Sequence, residues 1–279
     1  MNDLATLVSP LILQHLSAEE KDYLIQVFTR FNGYPSLEQV WQLMDESWCA
    51  LGCDPLQMDD RVQRFYEHPV WMLNGLFIEQ HDLSLRNRQG FTTWVAQQKP
   101  GRVADFGGGF GGLARFIGNA LPSTHVEVVE PHPHPAAMAL ASNTPNVRYA
   151  PKLTGEYDLL IATDVFEHVP DPISLAHQTA SFLRVDGQYL IANCFQPVIL
   201  CHLPQLFHFH YAWDSAMHAM GLEPKEIVVY GRAYQRTGEF DISAARRVRE
   251  SARKLHPWIE RIPKGKTRIG RGLIRALCR

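Results

Sequence analysis

Residues 103–113 read Val-Ala-Asp-Phe-Gly-Gly-Gly-Phe-Gly-Gly-Leu, an apolar strand pattern that runs through five glycines straight into an apolar helix pattern. Glycine removes the side chain that would keep other groups off the backbone, so the N–H groups at the start of that helix are open to close approach. Strand and helix signals then alternate from about residue 85 onward, the mark of an α/β domain with a mostly parallel sheet. The strand signals fall at residues 102–106, 125–129, 147–149, 158–163, 188–193 and 226–230, with a short one at 233–236. The last two flank Gly231-Arg232, a turn signal that predicts an antiparallel hairpin at a sheet edge. The expectation is a Rossmann-like, seven-stranded, mostly parallel sheet with that hairpin as its edge.

The preceding residues read as a helical cap. Ser17 and Glu20 have the spacing of a capping box, Leu24, Val27, Phe28 and Phe31 share one helical face, and Gly33 stands where the helix should stop. Ser36 and Gln39 repeat the start signal ahead of an apolar stripe of Leu37, Val40, Trp41, Met44, Trp48 and Leu51. A third helix is expected over 59–67 and a fourth, opened by Pro69, through residue 77. The expected organisation is therefore a helical cap over 1–84, the α/β domain over 85–240 and a basic helical tail over 241–279.

Composition bounds the class. With 46% hydrophobic and 20% charged residues among 279, the chain matches a globular protein and excludes a disordered, collagen-like or multi-span membrane one. No apolar run approaches the ~20 residues needed to cross a bilayer, and Asp3 sits where a secretory leader wants positive charge, so a cytoplasmic location is expected. Five cysteines without a CxxC pair argue for reduced thiols. The net charge of −2 conceals an asymmetry: residues 246–279 hold twelve Lys or Arg against Glu250 and Glu260, a balance of +10 that leaves −12 for residues 1–245.

The glycine loop satisfies two ligand templates. Gly107, Gly109 and Gly112 fit the dinucleotide pattern GxGxxG, while Asp105-x-Gly107-x-Gly109-x-Gly111 fits the pattern of S-adenosylmethionine sites. Glu130 ends the second strand 23 positions beyond Gly107, where a carboxylate accepts hydrogen bonds from ribose hydroxyls common to both ligands. Asp105 separates the two: a carboxylate repels a diphosphate and attracts a methionine ammonium. Further on, Asp164-Val165-Phe166-Glu167-His168 leaves the fourth strand at its carboxyl end, where ligands of such sheets bind.

On VADFGGGFGG, the acid of VEVVEP, DLLIATDVFEHVPDP and LRVDGQYLIANCF, the chain resembles the class I S-adenosylmethionine-dependent methyltransferases, particularly the group that includes the ubiquinone-biosynthesis enzymes. The resemblance covers residues 100–195. It implies that Asp105, Gly107, Gly109 and Gly111 flank the methionine half of the cofactor, that Glu130 holds its ribose, and that Asp164 and Val165 line the floor beneath the sulfonium. Tyr149-Ala150-Pro151-Lys152 lacks the acidic or amide side chain that often reads the adenine in that family.

Methyl transfer from a sulfonium is an in-line displacement that needs alignment and exclusion of water, with a general base where the acceptor is a hydroxyl. His168 and His208 are the candidate bases, His208 within a histidine-rich segment over 201–211 that follows the fifth strand. No metal site is expected, because Cys201, His202, His208 and His210 match no standard zinc spacing. The expected partner is a small-molecule acceptor carrying a hydroxyl, on a sugar-bearing or lipid-linked metabolite. The basic tail suits an anionic membrane surface or anionic ligand, or packing on the acidic body, and suits nucleic acid less well. An RNA methyltransferase, a non-catalytic cofactor-binding protein and an NAD-dependent oxidoreductase are the alternative readings.

Overall fold

The computed structural model describes residues 4–259; the portion of the basic tail beyond residue 259 lies outside them. The described residues form twelve α-helices and seven strands. The strands make one sheet in the order β3-β2-β1-β4-β5-β7-β6. The described residues divide into two compact units, one within residues 4–153 with 199–201 and the other within residues 154–198 with 202–259.

The first unit begins with helices α1 (Leu4–Leu7), α2 (Pro10–Leu13), α3 (Ala18–Arg30), α4 (Leu37–Ala50), α5 (Asp60–Glu67), α6 (Pro69–Ile78) and α7 (Asp82–Gln98). It continues through β1 (Arg102–Phe106), α8 (Gly112–Ala120), β2 (His125–Val129), α9 (Pro135–Ala141) and β3 (Val147–Ala150). Both capping boxes form. Ser17 Oγ accepts from the Glu20 N–H at 3.1 Å while Glu20 accepts from the Ser17 N–H at 2.7 Å. Ser36 and Gln39 exchange the same pair at 3.4 and 2.7 Å. The faces those helices bury hold Leu24, Val27, Phe28, Val40, Met44 and Trp48, which join Phe65, Leu73 and Phe110 in one apolar cluster. Phe31 is only half-buried. Strands β1 and β3 both pair parallel with β2, with Arg102 opposite His125 and Val126 opposite Val147.

The second unit holds β4 (Tyr157–Thr163), α10 (Pro172–Ala180), β5 (Leu183–Ala192), α11 (Phe209–Met220), β6 (Leu222–Val228), β7 (Gly231–Arg236) and α12 (Ile242–Ile259). Strand β4 pairs parallel with β5, and β7 runs antiparallel to both β5 and β6. Three boundaries differ from the sequence reading. Strand β5 starts at Leu183, paired with Tyr157, and bulges before pairing resumes at Gln188; Asp186 stands there at φ 64°, and the bulge interrupts the strand period that the sequence shows only from residue 188. Strand β6 starts at Leu222 and contains Pro224, tolerated because β6 is the outermost strand. The hairpin turn is Val229-Tyr230, two residues before Gly231-Arg232, and places Val229 at φ 55°. A β-branched residue is disfavoured there, so no local signal marked it.

Helix α12 lays two of its arginines against the start of α10. Arg249 reaches Asp171 at 3.0 Å, and Arg246 donates to Ser174 Oγ at 2.9 Å. No described helix is long and apolar enough to cross a membrane.

Candidate active site

In the first unit, the turn after β1 is built from glycines in the left-handed region. Gly107, Gly109 and Gly111 have φ of 69, 51 and 66°, values that side chains rarely adopt. Space is also short. A Cβ on Gly108 would lie 2.6 Å from Asp105 Oδ2, and one on Gly111 2.7 Å from Tyr149 Oη, whereas one on Gly109 would meet nothing within 4 Å. The loop is thus closed beneath and open above.

Its shape is held from two sides. Tyr149 donates its phenol to the Gly109 carbonyl at 3.0 Å, and Arg115 donates to the Phe110 carbonyl at 2.6 Å. Arg115 also pairs with Glu79, whose other oxygen accepts from Arg88 at 3.1 Å. Arg88 is 7% exposed; burial pulls its pKa down, and the Glu79 carboxylate opposes that. Arg88 further donates to the Ile78 carbonyl. These contacts make Arg88 a brace. No sequence signal marks the roles of Tyr149 and Arg115, because a tyrosine in a strand and an arginine in a helix carry no sign of what they reach.

Asp105 is 1% exposed at the end of β1, with Oδ1 lacking a hydrogen-bond partner among the described residues. Burial, with repulsion from Glu130, pushes its carboxyl up to about 7 against the hydrogen bond from Ala114. Glu130 follows β2, its N–H donating to the Ala150 carbonyl at 3.0 Å and its side chain accepting from the His132 N–H at 3.5 Å. The first unit therefore gathers Asp105, the glycine loop and Glu130 around one strand-end corner. His134, in the stiff segment that follows, caps α9 through its ring, contacts Glu20 at 2.7 Å and stacks on Phe110.

In the second unit, Asp164 leaves β4 at φ 53° and donates its N–H to the Ala192 carbonyl at 2.7 Å. Its carboxylate accepts from the Tyr230 phenol at 2.8 Å, tying the β6–β7 turn to the exit of β4. Solvent reaches Asp164, yet the protein crowded around it raises its pKa to about 6. Val165, half-buried, opens a 3-10 turn over Phe166–His168. Within that turn Glu167 is 1% exposed, and its pKa is raised by burial first and by the Asp164 carboxylate second. His168 lies with its ring 5.0 Å from that of His202, edge to face. His208 stands elsewhere in the unit: it is buried at the start of α11, with its ring 4.3 Å from Phe209. Burial first, and then the neighbouring Arg249, His256 and Arg253, lower its pKa to about 4. Of the two candidate bases, only His168 belongs to the β4 exit.

Residues 79–224, more than half of the chain, match the family described as methyltransferase domain. No curated protein matches the chain. Among solved structures, mitomycin 7-O-methyltransferase is similar with a TM-score of 0.50 and 14% identity over 71% of this chain and 67% of that one. An O-methyltransferase family protein from Burkholderia thailandensis aligns with a TM-score of 0.48 and 13% identity, over 72% of this chain and 71% of that one. Human N-acetylserotonin methyltransferase, solved with S-adenosylmethionine, aligns with a TM-score of 0.45 and 16% identity, over 71% and 66%. The chain spans about two thirds of the length of each of these structures. At such identities the likeness to the mitomycin enzyme speaks for the fold, and the family match does not single out the ubiquinone-biosynthesis group. It does decide between the two templates that the glycine loop satisfied: this chain belongs to the methyltransferase-domain family, the S-adenosylmethionine-dependent class.

Proposed function

We propose that the protein transfers a methyl group from S-adenosylmethionine to a hydroxyl of a small molecule, sugar-bearing or lipid-linked in character. The observation that carries the reading is Asp105, a buried carboxyl with an unpartnered oxygen directly behind a loop of left-handed glycines. Leaving such an oxygen unpaired costs roughly 1–3 kcal/mol, which an ammonium donor would offset with a charge-assisted hydrogen bond. A diphosphate at the same place would be repelled. The residues fit the cofactor. Asp105, Gly107, Gly109 and Gly111 would hold its methionine half and Glu130 its ribose; the assignment of Asp164 and Val165 to the cofactor rests on the sequence resemblance.

When bound, S-adenosylmethionine supplies an electrophilic methyl group on a sulfonium. The chain's part is to align an acceptor oxygen and take up its proton, and a positioned base is worth roughly 100- to 10,000-fold. His168 is the better of the two candidate bases, because a histidine with a pKa lowered to about 4 is a weak proton acceptor. The hydroxyl acceptor and its sugar or lipid setting are supported by the histidine-rich segment over 201–211 and the basic C-terminal residues.

The test has two parts. Calorimetric titration should give binding of S-adenosylmethionine that Asp105→Asn weakens; binding of NAD alone would overturn the reading. Methyl-labelled cofactor incubated with fractionated extract should label a small hydroxylated product. Label found only in RNA would move the acceptor to nucleic acid.

A further inference from the structure

We propose that Glu167, His168 and His202 form a binding site for a first-row divalent transition ion, with zinc as the probe. Each of the three offers a ligand atom, and those atoms lie within 4.8 Å of one another. Across a filled tetrahedral site with bonds near 2.0–2.1 Å, ligand atoms stand about 3.4 Å apart. Binding therefore asks the side chains to close by no more than about 1.4 Å, a movement within reach of small χ rotations.

The outer contacts are those of an oriented ligand set. His202 is buried, and its Nδ1 lies 2.8 Å from the Gln196 carbonyl oxygen. A carbonyl only accepts, so Nδ1 is the donor, and in the neutral ring Nε2 is the nitrogen able to ligate, the arrangement that orients metal-ligating histidines elsewhere. Glu167 is held in the same manner. One of its oxygens, Oε1, accepts from the Cys194 N–H at 2.7 Å, while Oε2 is buried with no hydrogen-bond partner among the described residues. A buried, oriented carboxyl with one unmatched oxygen beside two imidazoles has the donor set of a cation site, and an ion bound there would take the place of the carboxyl proton. The backbone brings the set together, since the Leu203 N–H donates to the Glu167 carbonyl at 3.0 Å and so sets His202 against the 3-10 turn.

Two nitrogens and one carboxylate oxygen suit zinc, iron(II) or cobalt(II) better than magnesium or calcium, which take mostly oxygen ligands. Three protein ligands leave a coordination position open. The ion site stands on these contacts alone. Its role rests on the proposed function: an ion there would hold an acceptor hydroxyl in the open position and make it more acidic, so that its proton passes to solvent water and His168 serves as a ligand in place of the base.

The experiment uses the full-length protein, stripped with a chelator and titrated with Zn(II) by calorimetry and with Co(II) by visible absorption. The expected result is one ion per chain, with ligand-field bands from a low-coordinate nitrogen and oxygen set. Glu167→Gln, His168→Ala and His202→Ala should each weaken binding by about 10-fold or more, while His210→Ala should not. Glu167→Gln keeps an acceptor for the Cys194 N–H, and the half-buried His168 tolerates truncation, so a folded variant remains for the comparison. No binding to the folded wild type, or binding that none of the three changes weakens, would overturn the proposal. Titration with S-adenosylmethionine on the same samples separates the two readings. Cofactor binding without zinc binding rejects the ion site alone, and zinc binding without cofactor binding rejects only the cofactor assignment.

Discussion

Asp105 works against the ligand-free fold. Its carboxyl is raised from 3.8 to about 7 in the folded protein, so between those values the unfolded chain has released a proton that the folded chain keeps. Stability accordingly falls as pH rises through that window, and above about pH 7 the penalty is complete, on the order of 4 kcal/mol at most. Asp105→Asn is expected to raise the melting temperature at pH 8, to leave it nearly unchanged at pH 4, and to weaken cofactor binding; equal melting shifts at the two pH values would contradict the burial argument. Glu130 is the complementary case, a partly exposed side chain outside the core. Losing a charged hydrogen bond of about 1.5–3 kcal/mol, Glu130→Ala should lower cofactor affinity roughly tenfold or more with no change in melting temperature. Both residues were legible in the sequence because their positions are counted from the glycine loop along the chain. That Asp105 is left with an unpaired oxygen was not, since this depends on what every neighbouring element fails to offer.

At the scale of elements, the turn between β1 and α8 is held by side chains from two sides, Tyr149 and Arg115. Gly111→Ala would force a side chain onto a φ of +66° and set its Cβ 2.7 Å from Tyr149 Oη, with roughly 1–2 kcal/mol from the backbone alone. It should lower both the melting temperature and cofactor affinity, and Tyr149→Phe in the same chain should restore part of the loss by removing the hydroxyl. A full additive loss in the double variant would show that the clash is not with that hydroxyl. Glu79→Gln should cost more, about 3–5 kcal/mol, because it strands the Arg88 and Arg115 cations that Glu79 pairs; chemical denaturation measures it directly. The helix starts at Ser17 and Ser36 and the strands β1 and β2 could be read in advance, because caps and apolar periods are written in neighbouring residues. The hairpin of β6 and β7 could be read as well, but not which residues make its turn. Its left-handed Val229 is disfavoured locally, and the adjacent Tyr230 is anchored by Asp164, 66 positions earlier.

For the whole molecule, binding and stability are linked: a ligand that binds only the folded chain stabilises it by about 2.7 kcal/mol at 100 times its dissociation constant. S-adenosylmethionine should therefore raise the thermal transition by several degrees where NAD at equal concentration leaves it in place, and the reverse order would contradict the carboxylate argument. The sequence alone determined the fold class, since a strand, a run of glycines, a helix and a carboxylate at the next strand end are consecutive features whose geometry follows from backbone sterics. It also determined the helices ahead of the sheet, because capping and amphipathic spacing are short-range. Only the tertiary structure decided which polar groups meet. The bracing of the loop by Glu79, Arg88, Arg115 and Tyr149, the burial that separates His208 from His168 in character, and the convergence of His202 on Glu167 and His168 all join residues far apart in the chain. Local propensity carries no term for such pairs; they are selected by packing, which places a side chain where desolvation is compensated and leaves visible the few places where it is not.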